Sequence, residues 1–239
     1  YNKISVVELQ KNPLRDTIFG VITTVIMLGI LSIFAVIFVI PFVQEWPYQV
    51  SFSLEHVKSV ISDPDLLGVY TNSLFVAVMT AIIGVLISYG AALVTARSTL
   101  NAKLKSVVEA IALVINTIPG MVLGIAFMLT FTGTNLQSTF IILIICDVVH
   151  YFSTPYLMVK NSLSKMNASW ETTAMLMGDS WIKTIIRVVT PNAMSTIIEV
   201  FSYYFVNAMV TISAIIFLAG AHTMVITTKI KELQYYNKF

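Results

Sequence analysis

Charge is what this chain has least of. Of 239 residues, 11% are Asp, Glu, Lys or Arg and 57% are hydrophobic, and the mean hydropathy is +0.85. A soluble domain is about a quarter charged, and a chain of this length would need that charge to cover its surface. The shortage points to an integral membrane protein. Cysteine is nearly absent too. Cys146 is alone, which excludes an internal disulfide and leaves the redox compartment unread. The net charge of +2 gives no reason to expect a nucleic-acid partner. No Gly-x4-Gly-Lys-Ser/Thr loop occurs, so this chain is not expected to hydrolyse nucleotide. No His-Glu-x2-His occurs either. The three histidines are His56, His150 and His222, and no metal site is expected. Internal repeats, low-complexity stretches and flexible linkers are missing as well. The first residue is Tyr1, and residues 1–16 are too polar for a signal peptide, so an upstream part is expected.

What the chain does have is long apolar runs. A helix needs about 20 such residues to cross a bilayer, and its backbone must be satisfied internally. Five spans are expected, over residues 17–43, 68–96, 106–131, 138–159 and 193–220. Lys3, Lys11 and Arg15 precede the first. Arg97, Lys103 and Lys105 follow the second, and Lys160, Lys165, Lys183 and Arg187 follow the fourth. The segment after the first span (44–67) has Lys58 against Glu45, Glu55, Asp63 and Asp65, and residues 132–137 are uncharged. The positive-inside bias makes the lysine-rich face, and with it the amino end, cytoplasmic. The tail 222–239 then lies outside despite Lys229, Lys231 and Lys238. It reads as an interfacial connector rich in tyrosine, leading into a sixth helix beyond residue 239, or else the fifth span does not cross. The acidic stretch from Glu45 to Asp65 is either a solvated loop or a surface for an external binding protein.

Residues 160–192 form a charged island. Ser169 or Asn167 can cap a helix, with Glu171 near its positive end. Gly178 interrupts the run. Trp181, Ile182, Ile185 and Ile186 recur at helical spacing, with Lys183 and Arg187 as a basic pair on another face. Pro191 is expected to stop the segment before the fifth span. Two short helices around a glycine on the cytoplasmic surface are the predicted product. Either they dock a partner protein or they lie on lipid, anchored by Trp181.

This island resembles the coupling loop of ABC-importer permeases, in which Glu-Ala-Ala is followed by three residues, Gly, nine residues, Ile, one residue and Leu-Pro. Gly178 to Pro191 keeps the thirteen-residue step, with Val188 at the Ile position and Thr190 at the Leu. Thr172, Thr173 and Ala174 stand at Glu-Ala-Ala, so Glu171 sits one residue early. Trp46-Pro-Tyr48, Leu54-Glu-His56 and Asn72-Ser73 look like the opening of a permease half, and Pro119-Gly-Met-Val-Leu-Gly124 like its Pro-Gly span. The run Phe205-Val-Asn-Ala-Met-Val-Thr-Ile-Ser-Ala-Ile-Ile-Phe217 is similar to permeases assigned to 2-aminoethylphosphonate import, a branch close to ferric-iron permeases. The resemblance implies an all-α, MetI-like helical bundle over residues 1–239, the second half of a two-half permease. It also implies a cytoplasmic coupling loop at 160–192 that meets an ATPase through Glu171, Thr172, Ala174, Met177, Gly178, Trp181 and Pro191, with Met175 adding apolar contact. ATP and Mg would be bound by a partner ATPase dimer, not by this chain. The other implied partners are a second permease half, fused or separate, an extracytoplasmic substrate-binding protein, and the lipid bilayer of the cell membrane.

Ionisable residues inside a span are functional candidates by default. Asp147 and His150 are helical neighbours, while Glu199 and Asn207 lie two turns apart. Asn116 and Thr117 precede Pro119-Gly120, which lets the third span bend and free backbone groups. Asn116, Asp147, His150 and Asn207 are the candidate substrate path. As an alternative they are glue, with Asp147 paired to His150 and Asn207 bonded to another helix. Glu199 and Glu109 lie near span ends, where water is in reach. Gly84, Ser88, Gly90, Ala91 and Ala92, like Ala208, Ser213 and Ala214, suit close helix packing. The methionines read as gap-fillers. Two other classes remain open: an intramembrane hydrolase built on Asp147 and His150, and a proton-coupled secondary transporter using Asp147 or Glu199.

Overall fold

The protein is described as a computed structural model covering residues 12–46 and 48–236. Lys3, Lys11, Pro47 and Lys238, which entered the orientation and motif readings, lie outside these residues. The chain divides into two units, Tyr1–Pro64 and Asp65–Phe239.

In the first unit, α1 (Pro13–Val39) is capped by Asn12, whose Oδ1 accepts the Arg15 N–H at 3.3 Å, with Pro13 opening the helix and Asp16 in its first turn. These are favoured residues for a helix start. Every face of α1 is apolar and none of its residues is buried. It ends in a single tight turn, Ile40–Phe42, at Pro41. Residues 44–67 hold more structure than a loop. β1 (Val43–Glu45) pairs antiparallel with β2 (Gln49–Phe52), and α2 (Glu55–Ser62) follows. Phe42 stacks on Phe52 at 6.3 Å, and His56 Nε2 lies 3.2 Å from the Gln44 carbonyl.

The second unit is built around α3 (Pro64–Arg97), 34 residues long. Its small residues admit neighbours. A Cβ at Gly84 would stand 2.6 Å from the Tyr204 ring, and Ser88 Oγ bonds the Tyr204 hydroxyl at 2.8 Å. Ala92 is fully buried, but Gly90 faces open space, so it takes no part in the close packing expected of it.

The remaining spans are broken. α4 (Ala102–Ile115) and α5 (Gly120–Phe131) meet at 107°. Pro119 forces the residue before it away from helix, and the chain re-enters at Gly120. α6 (Phe140–His150) and α7 (Ser153–Ser164) meet at 54°. The island gives α8 (Ser169–Leu176), α9 (Trp181–Thr184), a π-helical turn over Ile185–Val189 and α10 (Thr190–Asn192), joined to α11 (Met194–Val210) at 75°. Among the described residues, two continuous helices are long and apolar enough to cross a membrane, and up to five spans result if each bent pair is one, the last pair joining the island to α11.

The island's helix ends at Asn192, one residue past Pro191, and the chain bends at Ala193, so the stop expected before the fifth span falls in place. One expectation fails here. The fifth span does not run as helix to Gly220. It ends at Val210, and the next residues fold as turns with Thr211, Ala214, Ile215 and Leu218 buried. This segment lies so close to α5 that a Cβ at Gly124 would stand 2.2 Å from the Ala214 carbonyl oxygen. Tertiary packing against a bare backbone replaces the last helical turns.

The tail closes on the start of α3. Asn72 Nδ2 donates to the Met224 carbonyl at 3.1 Å, and Ser73 Oγ accepts the Ile226 N–H at 2.7 Å. The helix α12 (Ile226–Tyr235) follows. The core falls into two clusters. One joins α3, α7 and α11 around Tyr156, Leu163, Val189 and Tyr204, and the other lies around α6 with Val76, Leu143, Ala214 and Ile215.

Candidate functional site

The island forms around its glycine. Asn167 Oδ1 accepts the Ser169 N–H at 2.9 Å, satisfying one free donor at the start of α8. At the other end, Gly178 has φ of +80°. Its N–H donates to the Met175 carbonyl at 3.0 Å, and the Asp179 N–H donates to the Ala174 carbonyl at 2.9 Å. This is a Schellman closure, which needs a left-handed residue after the helix. Ser180 then caps α9 by accepting the Lys183 N–H at 3.3 Å. Lys183 pairs its ammonium with Asp179, so the basic pair expected with Arg187 is half neutralised.

The loop has two contrasting faces. Met175, Leu176, Met177, Ile182 and Ile186 are exposed, Leu176 by 85%, and Trp181 is partly so. Thr172 is exposed beside them, while Ala174 is half-buried. The inner face is held by α3. Arg97 and Glu171 form a two-pronged ion pair, Nε to Oε1 at 2.6 Å and Nη2 to Oε2 at 2.7 Å, with side chains only 4% and 15% exposed. Arg97 also donates to the carbonyls of Met166 and Asn167, each at 3.0 Å, and of Leu163 at 3.4 Å. Two turns earlier, the hydroxyls of Tyr89 and Thr190 meet at 2.7 Å. Glu171, expected as a contact to the ATPase, thus turns inward. The sequence held no sign of this pairing, because its members are 74 residues apart. Pro191, at the other end of the motif, is exposed.

The intramembrane candidates separate. Asn116 and His150 line one cavity of about 150 Å³ with Ile115, Ile118, Tyr151, Ser153, Thr154 and Tyr203. The cavity sits at the breaks of two bent pairs, and its lining holds no Asp, Glu, Lys or Arg. Residues 151, 153, 154 and 203 are not legible as a site in the sequence, since hydroxyl residues in apolar helices carry no signal of their own. Asp147 is fully buried and is not part of the lining. The expected Asp147–His150 pair does not form: both Asp147 carboxylate oxygens, His150 Nδ1 and Thr80 Oγ1 are buried without a hydrogen-bond partner. Asn207 does not bond across to another helix. Its Nδ2 donates at 2.7 Å to the Tyr203 carbonyl of its own helix. Glu109 reaches water as expected, pairing there with Lys160 at 2.6 Å, and Glu199 is exposed.

Residues 84–236 match the family described as "Binding-protein-dependent transport system inner membrane component". The chain belongs to this family. Among curated proteins it is 28% identical over 224 residues to a protein of Haemophilus influenzae named as a ferric transport system permease, covering 90% of this chain and 34% of that one. It is 26% identical to the ferric transport system permease protein of Actinobacillus pleuropneumoniae, covering 87% and 31%. The chain spans about a third of the length of these relatives. It is 25% identical to the molybdate/tungstate transport system permease protein of Pyrococcus furiosus, covering 79% and 74%. Among solved structures, a bacterial ABC transporter involved in alginate import superposes with a TM-score of 0.72 at 16% identity, covering 95% of this chain and 82% of that chain. This likeness supports the MetI-like helical fold. No phosphonate permease appears among these relatives.

Proposed function

We propose that this chain is a membrane-spanning permease subunit of an ATP-driven importer, driven through residues 171–191. The observation that carries the reading is the island's division of faces, with an apolar tip left uncovered at Met175, Leu176, Met177 and Ile182 and an inner face fixed to α3. A tip of this kind suits docking in a groove on a cytoplasmic ATPase, with a few apolar anchors supplying most of the affinity. ATP binding would close two ATPase subunits, and the loop would pass that motion to the bundle as alternating access. ATP and Mg belong to the ATPase, and a second permease half and an external binding protein complete the machine. The amino end and the loop are cytoplasmic in this reading.

The solute we propose is a small oxyanion, phosphonates such as 2-aminoethylphosphonate among them. The support is the polar lining of the cavity, which holds no Asp, Glu, Lys or Arg and presents Asn116, His150, Thr154 and Tyr203, while the Ser153 and Tyr151 hydroxyls are spent on the Ala112 carbonyl and Thr211. Such a lining can hold an anion by hydrogen bonds and release it again. The relative named for molybdate and tungstate fits this chemistry. The relatives named for ferric transport support a second reading, an iron-carrying solute.

Two experiments test these readings. The assembled importer is purified with Leu176→Asp or Gly178→Trp in the loop, and retention of the ATPase is measured. Loss of the ATPase with the bundle still folded is expected, and full retention in both variants removes the coupling role. Mass spectrometry of the ligand carried by the co-purified binding protein separates oxyanion from iron.

A further inference from the structure

Arg97 has more partners than any other side chain on the loop side of α3. Three of them are backbone carbonyls at the end of α7 and in the turn after it, and the others are the two oxygens of Glu171 on α8. A helix end carries partial negative charge on its free carbonyls. A guanidinium, with five N–H groups in a fixed plane, can satisfy several of these while gripping a carboxylate with two parallel bonds. A lysine could match the charge but not that geometry.

From this arrangement we infer that Arg97 is a positioning residue that makes α3, the end of α7 and α8 move as one body, so that displacement of the loop is delivered to α3. The inference rests on the coupling role proposed above. Three features support it. The uncovered residues Met175 and Leu176 follow Glu171 by about one turn on the same short helix, with Met177 capping it, so a push on the tip acts on the gripped carboxylate with little slack. The Schellman closure at Gly178 fixes the far end of that helix, leaving α8 no easy way to bend. The Tyr89–Thr190 bond holds the other end of the loop to the same α3, so α3 is attached at both ends of the island. A pair that served only to fold the loop would need neither the backbone contacts to α7 nor this second attachment.

The resemblance alone would assign the acidic residue of the motif to the ATPase. Glu171 stands one position early and is committed inward, so its role here is retention within the chain, and docking falls to its apolar neighbours.

The test uses the complete importer with its ATPase. Spin labels are placed at Tyr70→Cys, on the exposed first turns of α3, and at Thr134→Cys, on the exposed turn after α5. The distance between them is read by pulsed electron resonance before and after addition of MgATP with vanadate. The native Cys146 is buried. A nucleotide-driven change in distance is expected in the otherwise wild-type protein. With Glu171→Gln, and more completely with Arg97→Lys, the ATPase is expected to co-purify and hydrolyse ATP while the distance change is lost. A full distance change in both variants overturns the inference. So does loss of the ATPase from either variant, since the pair would then shape the docking surface and not transmit its motion. Failure of the unmodified loop to retain any ATPase is a separate result, and removes the coupling reading itself.

Discussion

The two polar regions of the helical unit are treated in opposite ways. At the loop end of α3, the charged and hydroxyl groups are matched inside the chain: Arg97 with Glu171, Lys160 with Glu109, Tyr89 with Thr190, and Tyr156 with Thr95 at 3.0 Å. In the middle of the bundle, where Ser88 meets Tyr204 and Tyr151 meets Thr211, both oxygens of Asp147, Thr80 Oγ1 and the Nδ1 of half-buried His150 are left without a partner. A matched group holds a shape, and removing its partner is costly. An unmatched group already bears its desolvation cost and stabilises nothing. The loop end is therefore held in one shape, as the coupling role proposed above requires. The middle keeps polarity that helps folding little, as expected of residues retained for passage or for a rearranged state.

The contrast can be broken in graded steps. Arg97→Ala should have the largest effect, about 3–5 kcal/mol, because it strands a partly buried carboxylate and several carbonyls; thermal unfolding of the purified protein reads it. Gly84→Val drives a side chain into the Tyr204 ring and disturbs its bond to Ser88, a loss of about 1–3 kcal/mol by overpacking, read the same way and as loss of monodisperse protein. Gly178→Ala puts a Cβ into left-handed backbone at a cost of about 1–2 kcal/mol. Because the strain is local to the loop, ATPase retention should fall while the melting temperature of the bundle scarcely moves. Asp147→Asn should do least to the fold. Removing an unpaired carboxylate leaves stability unchanged or raises it by about 1 kcal/mol, and uptake is where its effect should appear. A clear drop in melting temperature for Asp147→Asn would mean that the carboxylate has a partner in the folded state, and the contrast would disappear.

How much of this could be read from residues alone depends on the distance over which the deciding contact acts. The first four apolar segments, the start of the fifth and the island's two helices around Gly178 are local patterns, and they stand. The break at Pro119-Gly120 was legible because proline acts on its own neighbour. The early end of the fifth span was not. Residues 211–218 are as apolar as a helix interior, and what unwinds them is the close approach of the Ala214 carbonyl to Gly124 on another element. Candidate residues followed the same rule. Asn116 and His150 reached a common cavity, since each lies at a chain break, but Asp147 and Asn207 did not join them, because which face of a bent helix turns toward the cavity is a tertiary fact. In the sequence Arg97 bears on orientation alone. Nothing near it in sequence announces a partner on α8.

The length of α3 has a mechanical consequence. Its 34 residues make a rod of about 51 Å at 1.5 Å per residue, well beyond the roughly 30 Å of hydrocarbon it has to cross. It is clamped near one end at Arg97 and tied near the other, through Asn72 and Ser73, to the tail. Such a rod is a lever. A rotation of about 10° at the clamp carries the far end about 9 Å, so under the coupling role proposed above a modest turn of the loop becomes a large displacement at the opposite end of α3.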